Sequence, residues 1–167
     1  MRLIGLCGYA RVGKDEAAKA LVELGWTRVA FADDLKSEVC RTFGITQKYL
    51  EDNKEAWRPL LVEWGRARRL LEPNYWIQRA MARVSNDLST GVVVTDVRYW
   101  NEAKYLRSLE GTIVRIHRPG FEAVNDEERT SVAEIDGAQR ILGVVNIDNS
   151  GSIASLHNAI QKIAGSL

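Results

Sequence analysis

Apolar residues fall along this chain in short runs separated by stretches of helical spacing, and that alternation predicts its elements. "LIGLC" (3–7) is an apolar run ending at Gly8, as expected of a strand buried on both faces. Ala17, Ala20, Leu21 and Leu24 then recur at helical spacing, with Gly25 as a natural stop. "WTRVAF" (26–31) reads as a second strand. A strongly helical region covers 34–88, punctuated at Gly44, Pro59, Gly65 and Pro73. "GVVVTDV" (91–97) is a third strand, and Asn101 to Leu109 is a helix closed by Gly111. "TIVRI" (112–116) and "GVVNID" (143–148) complete five strands. Between those two, 118–140 reads as polar and irregular, with Pro119, Gly120 and the run "NDEERTS". Ser152 to Ala164 is a terminal helix with Ile153, Leu156, Ile160 and Ile163 on one face. Strands alternating with helices predict one α/β domain over 1–167, a parallel sheet covered on both faces. The helical insert (34–88) and the segment 118–140 are where function is expected.

Composition narrows the class. With 46% hydrophobic and 27% charged residues among 167, the chain is that of a globular protein. A net charge of +1 gives no basic field, so polymeric nucleic acid is not an expected partner. The cations are 16 Arg against 7 Lys. That bias suits a phosphate ligand, and follows equally from a GC-rich genome. Cys7 and Cys40 share no metal spacing and suit a reducing compartment. No run of about 18 apolar residues and no signal-like amino terminus is present, so the expectation is a cytoplasmic protein without a membrane partner.

One stretch carries chemistry outright. "GYARVGKD" (8–15) is G-x-x-x-x-G-K between an apolar strand and a helix, the arrangement that cradles phosphate. Gly8 and Gly13 let backbone N–H groups turn toward phosphate oxygens at a helix start, and Lys14 reaches the β- and γ-phosphates of ATP. The stretch expected to hold those phosphates is Gly8, Arg11, Val12, Gly13, Lys14, Asp15 and Glu16. Gly5, Gly8 and Gly13 do not form G-x-G-x-x-G, which argues against a dinucleotide fold. Asp15 stands where Ser or Thr is usual. A carboxylate is also a hard oxygen donor for Mg²⁺, and it also suits the first turn of a helix without any metal.

"GKD" near the amino terminus resembles the phage-type deoxynucleoside monophosphate kinases, P-loop enzymes related to the animal-type phosphomevalonate kinases. "FADDLK" (31–36), "EWGRARR" (63–69) with "NYW" (74–76), "TDVRYWNEA" (95–103) and "VVNIDNSGSIASL" (144–156) are similar to further segments of that family. Together these run from the first strand to the last helix. Two departures stand out: Glu16 occupies a place where many members have Thr, and the family's D-H-x-S-E motif has no counterpart in "NDEERTSVAEI" (125–135). The resemblance implies a P-loop kinase, MgATP and a (deoxy)nucleoside monophosphate acceptor, with 34–88 binding the acceptor and 118–140 acting as a lid. It also allows a homodimer.

The chemistry of such a reaction assigns the remaining candidates. Two polyanions must be brought together, and guanidinium groups neutralise them efficiently. Arg98, beside a strand end, is assigned to the acceptor phosphate or the transferring group, against a surface ion pair. Asp96 is a candidate Mg²⁺ carboxylate, or a structural strand-end Asp. Arg69 matches the arginine of the family's W-G-x-x-x-R, with Arg66 and Arg68 as neighbours easily confused with it. Lys14, Arg69 and Arg98 are thus the candidate catalytic set. Asp33 is expected near the acceptor's base or sugar and Lys36 near its phosphate; a helix cap is the plain alternative for Asp33. Trp76 offers stacking on the base, or core packing. Arg118 and Arg129 are the lid candidates, against a solvated loop. His117 and His157 are unassigned.

Two other functions compete. One is a kinase for another small phosphorylated metabolite, of the phosphomevalonate or dephospho-coenzyme A type, with Asp33 as base for a hydroxyl acceptor. The other is a nucleotide-dependent switch; the lack of N-K-x-D weakens a GTPase, and Arg69 and Arg98 weaken both.

Overall fold

The computed structural model describes residues 2–84 and 91–167. The chain divides into two compact units, Met1–Val29 with Val84–Leu167, and Ala30–Arg83.

The first unit is a five-stranded parallel sheet in the order β2-β3-β1-β4-β5. Its strands are β1 (Leu3–Cys7), β2 (Thr27–Val29), β3 (Val92–Val94), β4 (Thr112–His117) and β5 (Val145–Asp148). β1 is central, pairing Ile4 with Val93 on one side and Gly5 with Ile113 on the other. Every β1 residue is buried, as its unbroken apolar run requires. Ile4 and Leu6 pack with Ala17, Ala20 and Leu21 of α1 (Lys14–Val22) and with Leu156 and Ile160 of α9 (Ile153–Gly165). Gly5 faces the opposite side, where a Cβ would lie 2.7 Å from Leu106 of α6 (Trp100–Ser108). Both faces are therefore covered.

Three boundaries differ from the sequence reading. The second strand ends at Val29, and Phe31 begins α2 (Phe31–Phe43), because Asp33 and Asp34 supply first-turn carboxylates that favour a helix start. The third strand is confined to 92–94, the chain turning away after Thr95. Segment 118–140 is not irregular: it holds α7 (Asp126–Gly137) and α8 (Gln139–Leu142). Asn125 caps α7, accepting from the Glu128 N–H, and Ser131, Val132 and Ile135 form its buried stripe.

The second unit is helical: α2, α3 (Gln47–Asp52), α4 (Lys54–Leu71) and α5 (Tyr75–Ala82). Val39, Cys40, Leu50 and Leu61 form its core with Leu35, Trp57 and Trp64 against them. Gly44, left-handed at φ 64°, closes α2, and Pro73 falls between α4 and α5, as expected. Pro59 and Gly65 do not interrupt the chain; both lie inside α4. Gly65 is closely packed, a Cβ there meeting the Leu35 side chain at 3.3 Å. Residues 85–88 of the expected helical region lie outside the described residues.

Candidate functional site

The phosphate loop leaves the carboxyl end of β1 and is held open by two glycines in left-handed backbone. At Gly8 (φ 137°) a Cβ would sit 2.4 Å from the Ile116 carbonyl oxygen. At Gly13 (φ 106°) it would sit 2.6 Å from Asn149 Nδ2. Both positions therefore demand glycine twice over, for conformation and for space. Gly13 is the N-cap of α1, whose first-turn N–H groups supply the dipole end that attracts anions.

Lys14 folds back over the loop, its Nζ donating to the carbonyls of Gly8 at 2.8 Å and Tyr9 at 2.6 Å. Burial pushes its pKa below the ordinary lysine value, and the Arg98 guanidinium pushes it further; Glu128, Asp15 and Cys7 oppose this. Arg98, Asp15 and Lys14 thus share one electrostatic neighbourhood. The turn carrying Arg98 is fixed by Glu102, whose Oε2 accepts from the N–H groups of Arg98 (2.7 Å) and Tyr99 (3.0 Å). Asp96 precedes it, half-buried, and Asp15 is exposed. Among the described residues no group of three or more His, Cys, Asp or Glu is assembled as a metal cage. A Mg²⁺ ion arriving with ATP takes most of its ligands from phosphate and water, so one or two carboxylates suffice. Asp15 and Asp96 are of the right donor type.

Two side chains of the loop stretch are engaged away from the phosphate cradle. The Val12 side chain is 1% exposed and belongs to the core, leaving only its backbone. Glu16 turns its carboxylate to His157 of α9 at 3.1 Å and to Lys19 at 3.8 Å, so it ties two helices together.

The loop also has supports that sequence reasoning missed. Asn149 Nδ2 donates to the Val12 carbonyl at 2.8 Å. Arg115 is 5% exposed, paired with Asp136 at 3.0 Å, donating to the Ile116 carbonyl and lying 5.3 Å over the Tyr9 ring. Glu128 accepts from the Ala10 N–H at 2.8 Å. The pattern N-x-x-E at 125–128 is a helix-start signal that could have located Glu128. Arg115 carried no signal, because nothing local to the run TIVRI marks its pairing with an acid 21 residues on. The lid candidates are both in exposed stretches: Arg118 lies 4.8 Å over the Phe121 ring, and Arg129 pairs with Asp126.

The second unit contains a cavity of about 350 Å³ whose lining includes Asp33, Lys36, Ser37, Leu50, Glu51 and Arg83. Asp33 and Lys36 thus share one hollow. Ala30, not Asp33, is the N-cap of α2. Lys36 pairs with Glu51, and Arg83 with Asp34 at 2.8 Å. Arg68 has a defined set of neighbours. Arg68 donates to buried Glu38 at 2.7 Å, together with Trp64 Nε1 and the Tyr75 hydroxyl. Arg69 is half-buried along α4 beside Gly65. Trp76 is corrected: it is 3% exposed and its indole N–H donates to the Gly65 carbonyl, so it packs the helices and has no face for a base.

No family model matches the chain. A protein of Acanthamoeba polyphaga mimivirus, provisionally named a deoxynucleotide monophosphate kinase, is 27% identical over 164 residues, covering 81% of this chain and 82% of its own. Two solved structures resemble the fold throughout. One is TT1252 from Thermus thermophilus, with TM-score 0.56, 14% identity and coverage of 99% of this chain and 97% of its own. The other is shikimate kinase from Acinetobacter baumannii, with TM-score 0.54, 14% identity and coverage of 98% and 90%. The five-stranded parallel sheet and its phosphate loop are those of a P-loop kinase fold.

Proposed function

We propose that the protein transfers the γ-phosphoryl group of ATP to a (deoxy)nucleoside monophosphate, giving the diphosphate and ADP. The observation that carries this reading is Lys14, seated on the loop carbonyls at the start of α1 with a guanidinium near enough to depress its pKa. Concentrated positive charge of this kind is unfavourable in the free protein and is relieved by a polyanion. The name of the mimivirus relative and the sequence resemblance support a monophosphate as acceptor.

In this reaction an acceptor phosphate oxygen, already ionised because a phosphomonoester has a second pKa of about 6, attacks the γ-phosphorus. The bond to the β,γ-bridging oxygen breaks and ADP leaves. No general base is needed. Lys14 neutralises charge on the transferring group, Arg98, Arg69 and Lys36 serve the acceptor phosphate, and Asp33 recognises the acceptor's base or sugar. Mg²⁺ bound with ATP would screen the β- and γ-oxygens, with Asp15 and Asp96 as the residues that would hold it. Arg118 and Arg129 are the residues proposed to close over the donor phosphates.

A second reading is favoured by one observation: Asp33 lines a hollow beside Lys36, a place suited to a base for a hydroxyl acceptor. A coupled ADP-release assay over a panel of monophosphates and small phosphorylated or hydroxylated metabolites decides between them. Turnover of nucleoside monophosphates is expected; ADP release with hydroxyl acceptors alone overturns the monophosphate reading.

A further inference from the structure

We infer that Glu128 is a positioning residue that makes the phosphate loop and segment 118–137 respond to nucleotide as one body. The inference rests on the reading that the loop binds ATP.

The geometry is specific. Asn125 Oδ1 accepts from the Glu128 N–H at 2.8 Å, which fixes the backbone from which the carboxylate projects. One carboxylate oxygen then accepts from the Ala10 N–H at 2.8 Å, and the other from the Val124 N–H at 2.8 Å. Ala10 directly follows Gly8 and Tyr9, whose carbonyls receive Lys14. A single side chain thus joins the loop tip to the strap leading into α7. Glu127, next to it, bonds the hydroxyl of Tyr99, the residue after Arg98.

The far end of α7 reaches the same loop by a different route. Asp136 holds Arg115 at 3.0 Å, and Arg115 lies beneath Gly8 and over the Tyr9 ring. The helix is therefore fastened to the loop near both of its ends. A carboxylate beside a polyphosphate site is electrostatically unfavourable, and two amide donors plus the nearby Lys14 are what offset it.

Coupling of this kind is reciprocal, so nucleotide on the loop must slow exchange in the strap and α7. The test is hydrogen–deuterium exchange of the full chain with and without a non-hydrolysable ATP analogue and Mg²⁺, with KM and kcat for ATP. In the wild type the analogue should protect both 8–14 and 118–137. In Glu128→Ala protection should be confined to the loop, with KM for ATP raised about tenfold and acceptor KM unchanged, the loss expected for a hydrogen bond to a charged group. Glu128→Gln is isosteric, keeps the fold, and offers one acceptor oxygen in place of two. It should give an intermediate KM and lose protection on one side of the link. Glu134→Gln, an exposed charge change on the same helix, should match the wild type. If wild type and both Glu128 variants show the same coupled protection and KM, the inference is overturned while the kinase reading stands. A wild type that does not bind the analogue overturns both.

Discussion

Lys14 is where sequence, fold and chemistry meet in a single side chain. Its amine is desolvated on the loop carbonyls and faces Arg98, so in the folded protein it releases its proton below the pH at which an unfolded lysine would. Between those two values the unfolded chain binds more protons, so this lysine makes the free protein more stable as pH rises through the window. Polyphosphate reverses the balance by favouring the charged amine. Nucleotide binding at alkaline pH should therefore take up a proton, visible as a buffer-dependent calorimetric enthalpy that disappears in Lys14→Met. The same variant should lose about 10²–10³-fold in kcat with its fold intact; near-normal turnover would remove the loop from the chemistry. Glu38 is the counterpart in the helical unit. Burial raises its pKa, but hydrogen bonds from Tyr75, Trp64 and Arg68 more than reverse this, holding it below the ordinary 4.5. It therefore contributes stability that is complete above pH 4.5 and lost as pH falls through its depressed value. Glu38→Ala strands those donors and should cost about 1–3 kcal/mol at pH 7. Its urea midpoint should also depend less on pH than the wild type's between 5 and 3. An unchanged midpoint at pH 7 would show that the buried cluster is not stabilising.

At the scale of elements, the phosphate loop is a suspended structure whose shape is set by its neighbours. Asn149, just beyond β5, reaches back 137 residues to the Val12 carbonyl and fills the space a Gly13 side chain would need. Asn149→Ala should cost about 1–3 kcal/mol for the stranded carbonyl, a fall of roughly 2–4 °C per kcal/mol in a chain of this size. KM for ATP should rise more than kcat falls, because the donor site is loosened while the transferring groups remain. Equal effects on both would place Asn149 in the chemistry instead. The loop itself was legible because left-handed backbone and close approach admit only glycine, a constraint written directly in residues 8 and 13. Its supports were not. Arg115 lies within an apolar strand run that says nothing of a partner, and only the tertiary fold shows it buried against Asp136. α7 was obscured because its buried stripe is three residues long and its first turn is a run of acids. Pro59 and Gly65 misled in the opposite direction, since local preference for a break was overridden by packing along α4. Trp76 was open to two readings from spacing, and burial decided for the core.

For the whole molecule, the candidate chemistry divides between the two compact units. Lys14, Asp15, Asp96 and Arg98 belong to the sheet unit, and Asp33, Lys36 and Arg69 to the helical one. A donor site alone would suit a switch, which needs no second polyanion site, so the helical unit's residues carry the distinction between functions. If the acceptor is a monophosphate gripped by guanidinium groups, Arg69→Ala and Arg98→Ala should each lose about 2–5 kcal/mol, roughly 30- to several-thousand-fold in kcat/KM for the acceptor. Lysine at either place should restore only part of this, because it lacks the planar fork. KM for ATP should move little in Arg69→Ala. Arg68→Ala should lower stability through the lost bond to buried Glu38, with acceptor KM near normal. Asp33→Asn should change the ranking of bases or sugars without abolishing turnover. A kinase acting on a hydroxyl predicts the reverse order: Asp33→Asn nearly inactive for want of a base, and both arginine variants tolerant. Acceptor kcat/KM across the four variants reads out that order directly. An inactive Asp33→Asn beside active Arg69→Ala and Arg98→Ala would replace the monophosphate acceptor with an alcohol.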